Sequence, residues 1–348
     1  MSAEATLALV DETLEAGQAS DAGRAHLGGS VIGRDCTREL WFTFRWATQS
    51  RHPARLLRIF ARGHREEAVF NDYLRRAGLT VWEEDPDIAG QQWHVESVAG
   101  HFGGSLDGVV VGVVGDEQTP HVSEQKTMSE KVFKRVVANG VRAAKPDHWS
   151  QMQIYMHLFE GVSKALYQAV NKNTDELYYE VVEHDPDAGE HLLARAERII
   201  TTDFPMSDRI SDDPAYFACG WCDHHSVCYQ LRAPQSSCRS CTFSTPELDG
   251  DGRWSCRKHG RDLSLEDQRV GCSSHLFIPT FLAPRFEAID ADEDQTWVRY
   301  RNRETGSEWV NGEGGFSSEE IAACEDLNAL GQEWLDQLRN RFDGKVIA

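Results

Sequence analysis

The 348-residue chain has no apolar run long enough to span a bilayer. Its longest, GVVVGVVG, is far short of the roughly twenty residues a membrane helix needs. Its first twenty residues, MSAEATLALVDETLEAGQAS, lack a basic segment followed by an apolar one, so no secretory leader is expected. A soluble, cytoplasmic protein with no membrane partner is the expectation. Positive charge is scarce: 36 Lys and Arg stand against 56 Asp and Glu, a net −20, which argues against a generic nucleic-acid binder. There is no low-complexity run and no repeat of solenoid length. Cysteine is sparse outside one window, since seven of the nine lie between Cys219 and Cys272. That distribution does not suit a disulfide framework and does suit metal binding.

The charge is unevenly spread. Residues 34–65 carry eight Arg against Asp35 and Glu39, and residues 126–145 carry six basic residues against Glu130. From Phe281 onward seven basic residues face fifteen acidic ones. The average therefore conceals two basic tracts and an acidic tail, and each tract has a plain reading as a solvated helix face.

A chain of this length with 40% hydrophobic residues suggests two or three domains. Residues 1–23 read as a polar extension, frayed or a short helix. Leu56, Phe60, Val69, Phe70, Tyr73 and Leu74 recur at helical spacing, with Gly78 suited to a helix end. TVWEE, WHVESV, GSLDGVVVGVV and HVSEQKT then read as strands of an antiparallel meander. PDHWSQMQIYMHLFEG predicts a helix with Trp149, Met152, Tyr155, Met156 and Phe159 on an apolar face. KALYQAV and ELYYEVV flank a turn as strands, and PDAGEHLLARAERII predicts another helix. This alternation predicts an α/β class core over residues 24–235. A Cys/His-rich module over 236–280 follows, then a small α+β extension over 281–348. The extension's strands are RFEAID, WVRYRN and SEWV, and its closing helix runs from about Ser317 to Phe342.

The chemistry gathers around HVSEQKT. Glu124 and Lys126 are two apart and share a strand face. An antiparallel hairpin brings Asp107, in GSLDGVV, across from Glu124. Two carboxylates and a backbone carbonyl, that of Gln125, suit a hard cation such as Mg²⁺ or Mn²⁺. Lys126 is placed to position water or offset charge on a phosphate. By itself D-x(n)-E-x-K occurs by chance in many chains. Gln151 and Tyr155 alone would be ordinary members of an amphipathic helix, and His64 alone an ordinary histidine.

In order and spacing, RGHREE, SLDG, SEQKT and QMQIY together resemble the PD-(D/E)XK nuclease superfamily and its RecB-like exonuclease branch. Leu106 stands where that family has proline, a position that coordinates nothing. The resemblance implies a restriction-endonuclease-like core, a central mixed sheet flanked by helices. It implies His64, Asp107, Glu124 and Gln125 at a Mg²⁺ or Mn²⁺ site, Asp107, Glu124 and Lys126 in catalysis, and Glu67 orienting His64. It implies Gln151 and Tyr155 on the nucleic-acid strand. Lys131, Lys134 and Arg135 of the second basic tract would join them in phosphate contacts.

CGWCDHHSVC supplies Cys219, Cys222 and Cys228, three thiolates of an incomplete tetrahedral set. Cys36 is the candidate fourth, with His224 and His225 as alternatives. One Cys before the core and three after it resembles the iron–sulfur RecB-like nucleases, which implies a structural [4Fe–4S] cluster; zinc is the alternative occupant. CRSC, CRKH and CSSH read as a zinc-ribbon-like module, with Cys238, Cys241, Cys256 and Cys272 as first-choice ligands and His259 and His275 as alternates. The resemblance does not reach this module or the acidic tail. Cys324 reads as a buried apolar residue.

The expected function is metal-dependent DNA hydrolysis by an exonuclease acting on ends or single strands in replication, recombination or repair. Partner proteins from those processes are expected too. Similar stand-alone genes occur in bacteriophages, which would place the product in the host cytoplasm. The rival readings are a nuclease fold kept as a non-cleaving DNA- or replisome-binding metal module, and an acidic mimic of DNA.

Overall fold

The structure is a computed structural model that describes residues 2–18, 24–202, 209–342 and 344–345. Residues 1 and 19–23 of the N-terminal extension, and 343 and 346–348 of the acidic tail, lie outside the described residues. Two compact units form: Met1–Arg34 with Arg51–Glu197, and Asp35–Ser50 with Arg198–Ala348.

The elements begin α1 (Ala3–Gly17), β1 (Leu27–Gly28), α2 (Thr37–Phe44), α3 (Ala54–Arg76), β2 (Thr80–Trp82), β3 (His94–Ser97), β4 (Phe102–Ser105) and β5 (Val109–Val111). They continue β6 (His121–Met128), α4 (Glu130–Ala144), α5 (Pro146–Leu158), β7 (Lys164–Asn171), β8 (Leu177–Glu183) and α6 (Pro186–Thr201). All of these except α2 begin in the first unit.

The first unit is built on a five-stranded sheet ordered β2-β5-β6-β7-β8. Only β6 and β7 pair in parallel, so the sheet is mixed. Their connection runs through α4 and α5, as a parallel crossover requires. β7 is buried from Ala165 to Asn171, as expected of a strand covered on both faces. A smaller sheet is ordered β1-β4-β3. The expected α/β class, a central mixed sheet flanked by helices, is what the chain forms.

Two local expectations are corrected. GSLDGVVVGVV is not one strand: β4 and β5 belong to different sheets, and the chain breaks at Leu106–Asp107–Gly108. Gly108 has φ +150, which a side chain rarely adopts, and its would-be Cβ lies 3.0 Å from the Trp82 carbonyl oxygen. The QMQIY helix is not amphipathic, because every residue from Ser150 to Met156 is buried. Its polar members are satisfied inside: Gln153 donates to the Glu183 carbonyl at 2.9 Å and accepts from the Asp185 amide at 2.7 Å. The basic tract 126–145 forms α4, in keeping with the plain reading of a solvated helix face, with Phe133, Val136 and Val141 buried along its other side.

The second unit adds α7 (His225–Cys228), β9 (Ser244–Pro246), β10 (Trp254–Cys256), β11 (Arg261–Leu263) and α8 (Leu265–Arg269). It ends with β12 (Phe286–Ala291), β13 (Trp297–Asn302), β14 (Glu308–Gly312), α9 (Ser318–Ala323) and α10 (Glu333–Phe342). Two antiparallel three-stranded sheets form, β11-β10-β9 and β12-β13-β14. The expected single closing helix is broken: α9 is capped by Ser317 and stops at Cys324, and Gly331, at φ +75, precedes α10. The core is aromatic, with Trp41, Phe44, Trp254, Phe281 and Phe286 almost fully buried.

Candidate functional site

β6 is the spine of the site. Val109 pairs with Val122 and Val110 with His121, and the Ser123 amide donates to the Gly108 carbonyl. Continuing that register sets Asp107 opposite Glu124. Because the chain has left the ladder at Leu106, the Gln125 amide has no strand carbonyl there. It donates to Asp107 Oδ2 at 2.8 Å instead. The strand break thus fixes the Asp107 carboxylate beside β6.

Glu124 is fully buried, and neither of its oxygens accepts a well-directed hydrogen bond. Its direct counter-charge is Lys126, whose Nζ forms an ion pair with Oε1. Burial pushes the Glu124 carboxyl up to about 7; the charges of Asp107 and Glu67 add to that, and Lys126 opposes it. Burial would lower Lys126, but Glu124 and Asp107 outweigh it and hold the ammonium above its ordinary value. Glu67 is raised by burial and then by Asp107, and His64 and Lys126 oppose the shift. Three carboxylates and one ammonium therefore share one electrostatic environment.

His64 is held at its edge: its side chain is 79% exposed, and Nδ1 lies 3.4 Å from Glu67 Oε1. The Gln125 side chain faces α3, donating to Asn71 Oδ1 at 2.6 Å. Gln151 and Tyr155 are both buried on α5. Burial raises the Tyr155 phenol, and the charges of Glu124 and Asp107 raise it further, which puts Tyr155 in the same environment. Two glycines make its room. A Cβ on Gly104 would lie 2.4 Å from the Tyr155 hydroxyl, and one on Gly29 would lie 2.6 Å from Cε1. Lys131, Lys134 and Arg135 are exposed on α4. Lys134 pairs with Glu130 at 2.5 Å, and Arg135 donates to the Ala144 carbonyl at 2.9 Å.

His148 and Tyr167 were missed in the sequence. His148 Nδ1 lies 2.7 Å from the Tyr167 hydroxyl. Burial pushes the imidazole down to about 3, and the nearby charges of Lys126 and Lys145 push the same way. Tyr167 is the β7 residue in register with Glu124. One signal existed for His148, which lies a helical turn before Gln151. None existed for Tyr167, because the parallel register is not written in either strand.

The cysteines form two neighbourhoods in the second unit. Cys36 sits at the start of α2, its sulfur accepting from the Glu39 amide at 3.4 Å. Tyr229 donates to Cys219 at 3.3 Å. Burial pushes the Cys222 thiol up to about 12, with Glu39, Cys36 and Cys228 adding to it. Cys228 is also raised by burial, against Arg38 and Arg209. The two alternative ligands are engaged otherwise: His224 Nε2 lies 3.0 Å from Thr43 Oγ1, and His225 Nε2 lies 3.0 Å from the Pro214 carbonyl oxygen.

Cys238, Cys241, Cys256 and Cys272 line one cavity of about 440 Å³ together with His259 and His275. Burial pushes Cys238 up to about 12 and Cys241 up to about 11, each helped by neighbouring thiols. His259 Nε2 is 3.5 Å from Cys272 Sγ, whereas His275 Nε2 is 2.8 Å from the Ser237 carbonyl oxygen. Cys324 is buried elsewhere and donates to the Asp326 carbonyl at 3.1 Å. Among the described residues, no group of three or more His, Cys, Asp or Glu side chains is drawn together closely enough to hold a metal ion. No helix among them is long and apolar enough to cross a membrane.

No protein-family model and no curated protein matches the chain. Solved structures similar to it include LHK-Exo in complex with dAMP, at a TM-score of 0.36 and 17% identity over 54% of this chain and 90% of that one. A second is the alkaline exonuclease LHK-Exo from Laribacter hongkongensis, at 0.35 and 19% over the same shares. A third is SSO0001, at 0.37 and 15% over 64% of this chain and 95% of that one. Likeness of this degree leaves the chemistry to be argued from the side chains.

Proposed function

We propose that the chain is a divalent-metal-dependent deoxyribonuclease, an exonuclease that hydrolyses phosphodiesters in DNA replication, recombination or repair. The observation that carries the reading is Glu124: a fully buried carboxylate with no well-directed hydrogen bond to either oxygen, opposite Asp107 and ion-paired with a single ammonium. Burying an acid in this state is costly unless a cation completes it. Hard carboxylate oxygens suit Mg²⁺ or Mn²⁺. Asp107 and Glu124 would hold the ion, with the Gln125 carbonyl and, through Glu67, His64 at its margin. When bound, such an ion polarises a phosphoryl oxygen.

Lys126 then has two tasks. It neutralises Glu124 in the metal-free chain, and were a cation to take over that role its ammonium would be free to offset charge developing on the phosphate. Tyr155 shares the electrostatic environment of the site, and it and Gln151, buried on the same helix, would orient the strand. The exposed cations on α4 would contribute less to phosphate binding, since Lys134 is already paired.

In the second unit we assign Cys36, Cys219, Cys222 and Cys228 to a structural [4Fe–4S] cluster, and Cys238, Cys241, Cys256 and Cys272 to zinc. Four thiolates suit either group. The engagement of His224 and His225 favours Cys36 as the fourth ligand of the first set. His259, beside Cys272, is the alternate that fits the second.

The test is cleavage of end-labelled DNA by the metal-replete protein, with Glu124→Gln and Lys126→Ala alongside. Each variant is expected to lose on the order of 10³-fold in rate while still binding DNA. If the unmodified protein with its metals in place never cuts DNA, the non-cleaving binding module is the correct reading. Iron, sulfide and zinc content decides the cysteine assignments, and colourless protein with two zinc ions would overturn the cluster.

A further inference from the structure

On the flank of this site α3 carries Arg55, Arg58 and Arg62, spaced three and four residues apart and so on one helical stripe. Together with Thr127 and Lys172 they line a surface depression of about 340 Å³. Thr127 follows Lys126 on β6, and α3 goes on to His64 and Glu67. The depression therefore shares both elements with the site, with Thr127 on the strand face of Gln125 rather than of Lys126, and Arg55 lies roughly 18 Å from Glu67 along the helix axis. Among the described residues Arg55 and Lys172 make no ion pair, while Arg62 is only loosely paired with Glu66 at 3.4 Å. Several cations around one small concavity attract an anion, and a row of them suits a chain of phosphates.

Arg58 is already occupied. It forms an ion pair with Asp11 of α1, a helix that contains Glu4, Asp11, Glu12 and Glu15 and no Lys or Arg. α1 is fastened by polar contacts: Glu15 Oε1 accepts from the Ala54 amide at the start of α3, and the Gln18 amide brackets the His52 backbone. No residue of α1 is buried. A helix of this length is marginal without apolar anchorage, and an exposed ion pair contributes little. The acidic helix thus rests on a basic face in a form that is cheaply displaced.

We propose that the depression binds backbone phosphates of the nucleic-acid strand, and that α1 is a built-in competitor holding Arg58 through Asp11 until a strand displaces it. This deepens the nuclease reading and rests on it for the nature of the strand.

The test is equilibrium binding of a labelled single strand of about twenty nucleotides, without divalent metal so that nothing is cut, at low and high salt. Arg55→Ala with Lys172→Ala is expected to weaken binding about tenfold and to flatten the salt dependence by about two released ions. Asp11→Asn is expected to tighten binding about threefold at low salt, with the gain lost at high salt. A dinucleotide, too short to reach from the site, should bind all three proteins alike. Wild-type affinity and salt slope in the double variant overturn the subsite, and an Asp11→Asn protein indistinguishable from wild type at low salt overturns the competition. A protein that shows this binding pattern but never cleaves would fail the nuclease reading alone, and one that cleaves without the pattern would fail only the subsite.

Discussion

In the first unit the buried carboxylate of Glu124 has an ammonium against it, whereas in the second the half-buried thiol of Cys238 and the buried thiol of Cys241 are flanked chiefly by other thiols. Burial penalises the anion in both places, lifting the carboxyl to about 7 and the thiols to about 12 and 11. The difference lies in what is supplied from within the chain. Lys126 supplies the first site with a counter-charge from within the chain, whereas the thiols of the second would stay protonated unless an external cation replaced their protons. The surroundings follow the same division. The first unit encloses α5 and a five-stranded sheet, and the second relies on two three-stranded sheets and an aromatic core. On the proposed assignments, metal would be an addition to one unit and part of the construction of the other.

The largest effect that would break this comparison is metal removal. Stripping iron and zinc with a chelator under reducing conditions should abolish amide-exchange protection in β9–β11 while β6 and β7 keep theirs. Structural zinc sites contribute about 10 kcal/mol or more to folding. Equal loss in both units would show that the first also depends on metal. Next is Lys126→Met, which leaves Glu124 buried without its counter-charge. Because Lys126 is a quarter exposed, a loss of about 2 kcal/mol in urea unfolding of the metal-free protein at pH 8 is expected. No loss would mean that water or another group already neutralises the carboxylate. The smallest effect sharpens the account of the strand rather than of the metal. Asn71→Ala removes the acceptor of the buried Gln125 amide and should cost about 1 to 2 kcal/mol by the same measurement.

The two units also differ in how much of them could be read in advance. The α3, α6, β7 and β8 segments are marked by period and by turn residues such as Gly78 and NKNTD, and they formed where patterning put them. Failures came where local pattern and long-range burial disagree. The valines after Asp107 look continuous with GGS, yet the small residues Gly103 and Gly104 serve one sheet and Val109–Val111 another. QMQIY is polar at some positions and reads as an amphipathic helix, but Gln153 finds partners at the end of β8 and just after it and is buried. At the site, Asp107, Glu124, Lys126 and Tyr155 were legible as types at spacings. His148 and Tyr167 were not, because they come together only through the parallel pairing of β6 with β7 and the packing of α5.

What the sequence alone determined is which groups are available and in what order: one Glu-x-Lys strand, an upstream Asp, and two sets of thiols, with hydrophobic periods that make an α/β core. These are local properties, set by side-chain type and by the two- and 3.6-residue repeats of strand and helix. Tertiary structure decided which of the groups lose water together. A carboxylate changes its proton affinity only when burial and neighbouring charges act on it at once. In this chain both depend on contacts between residues far apart in sequence, from Glu67 on α3 to Tyr167 on β7.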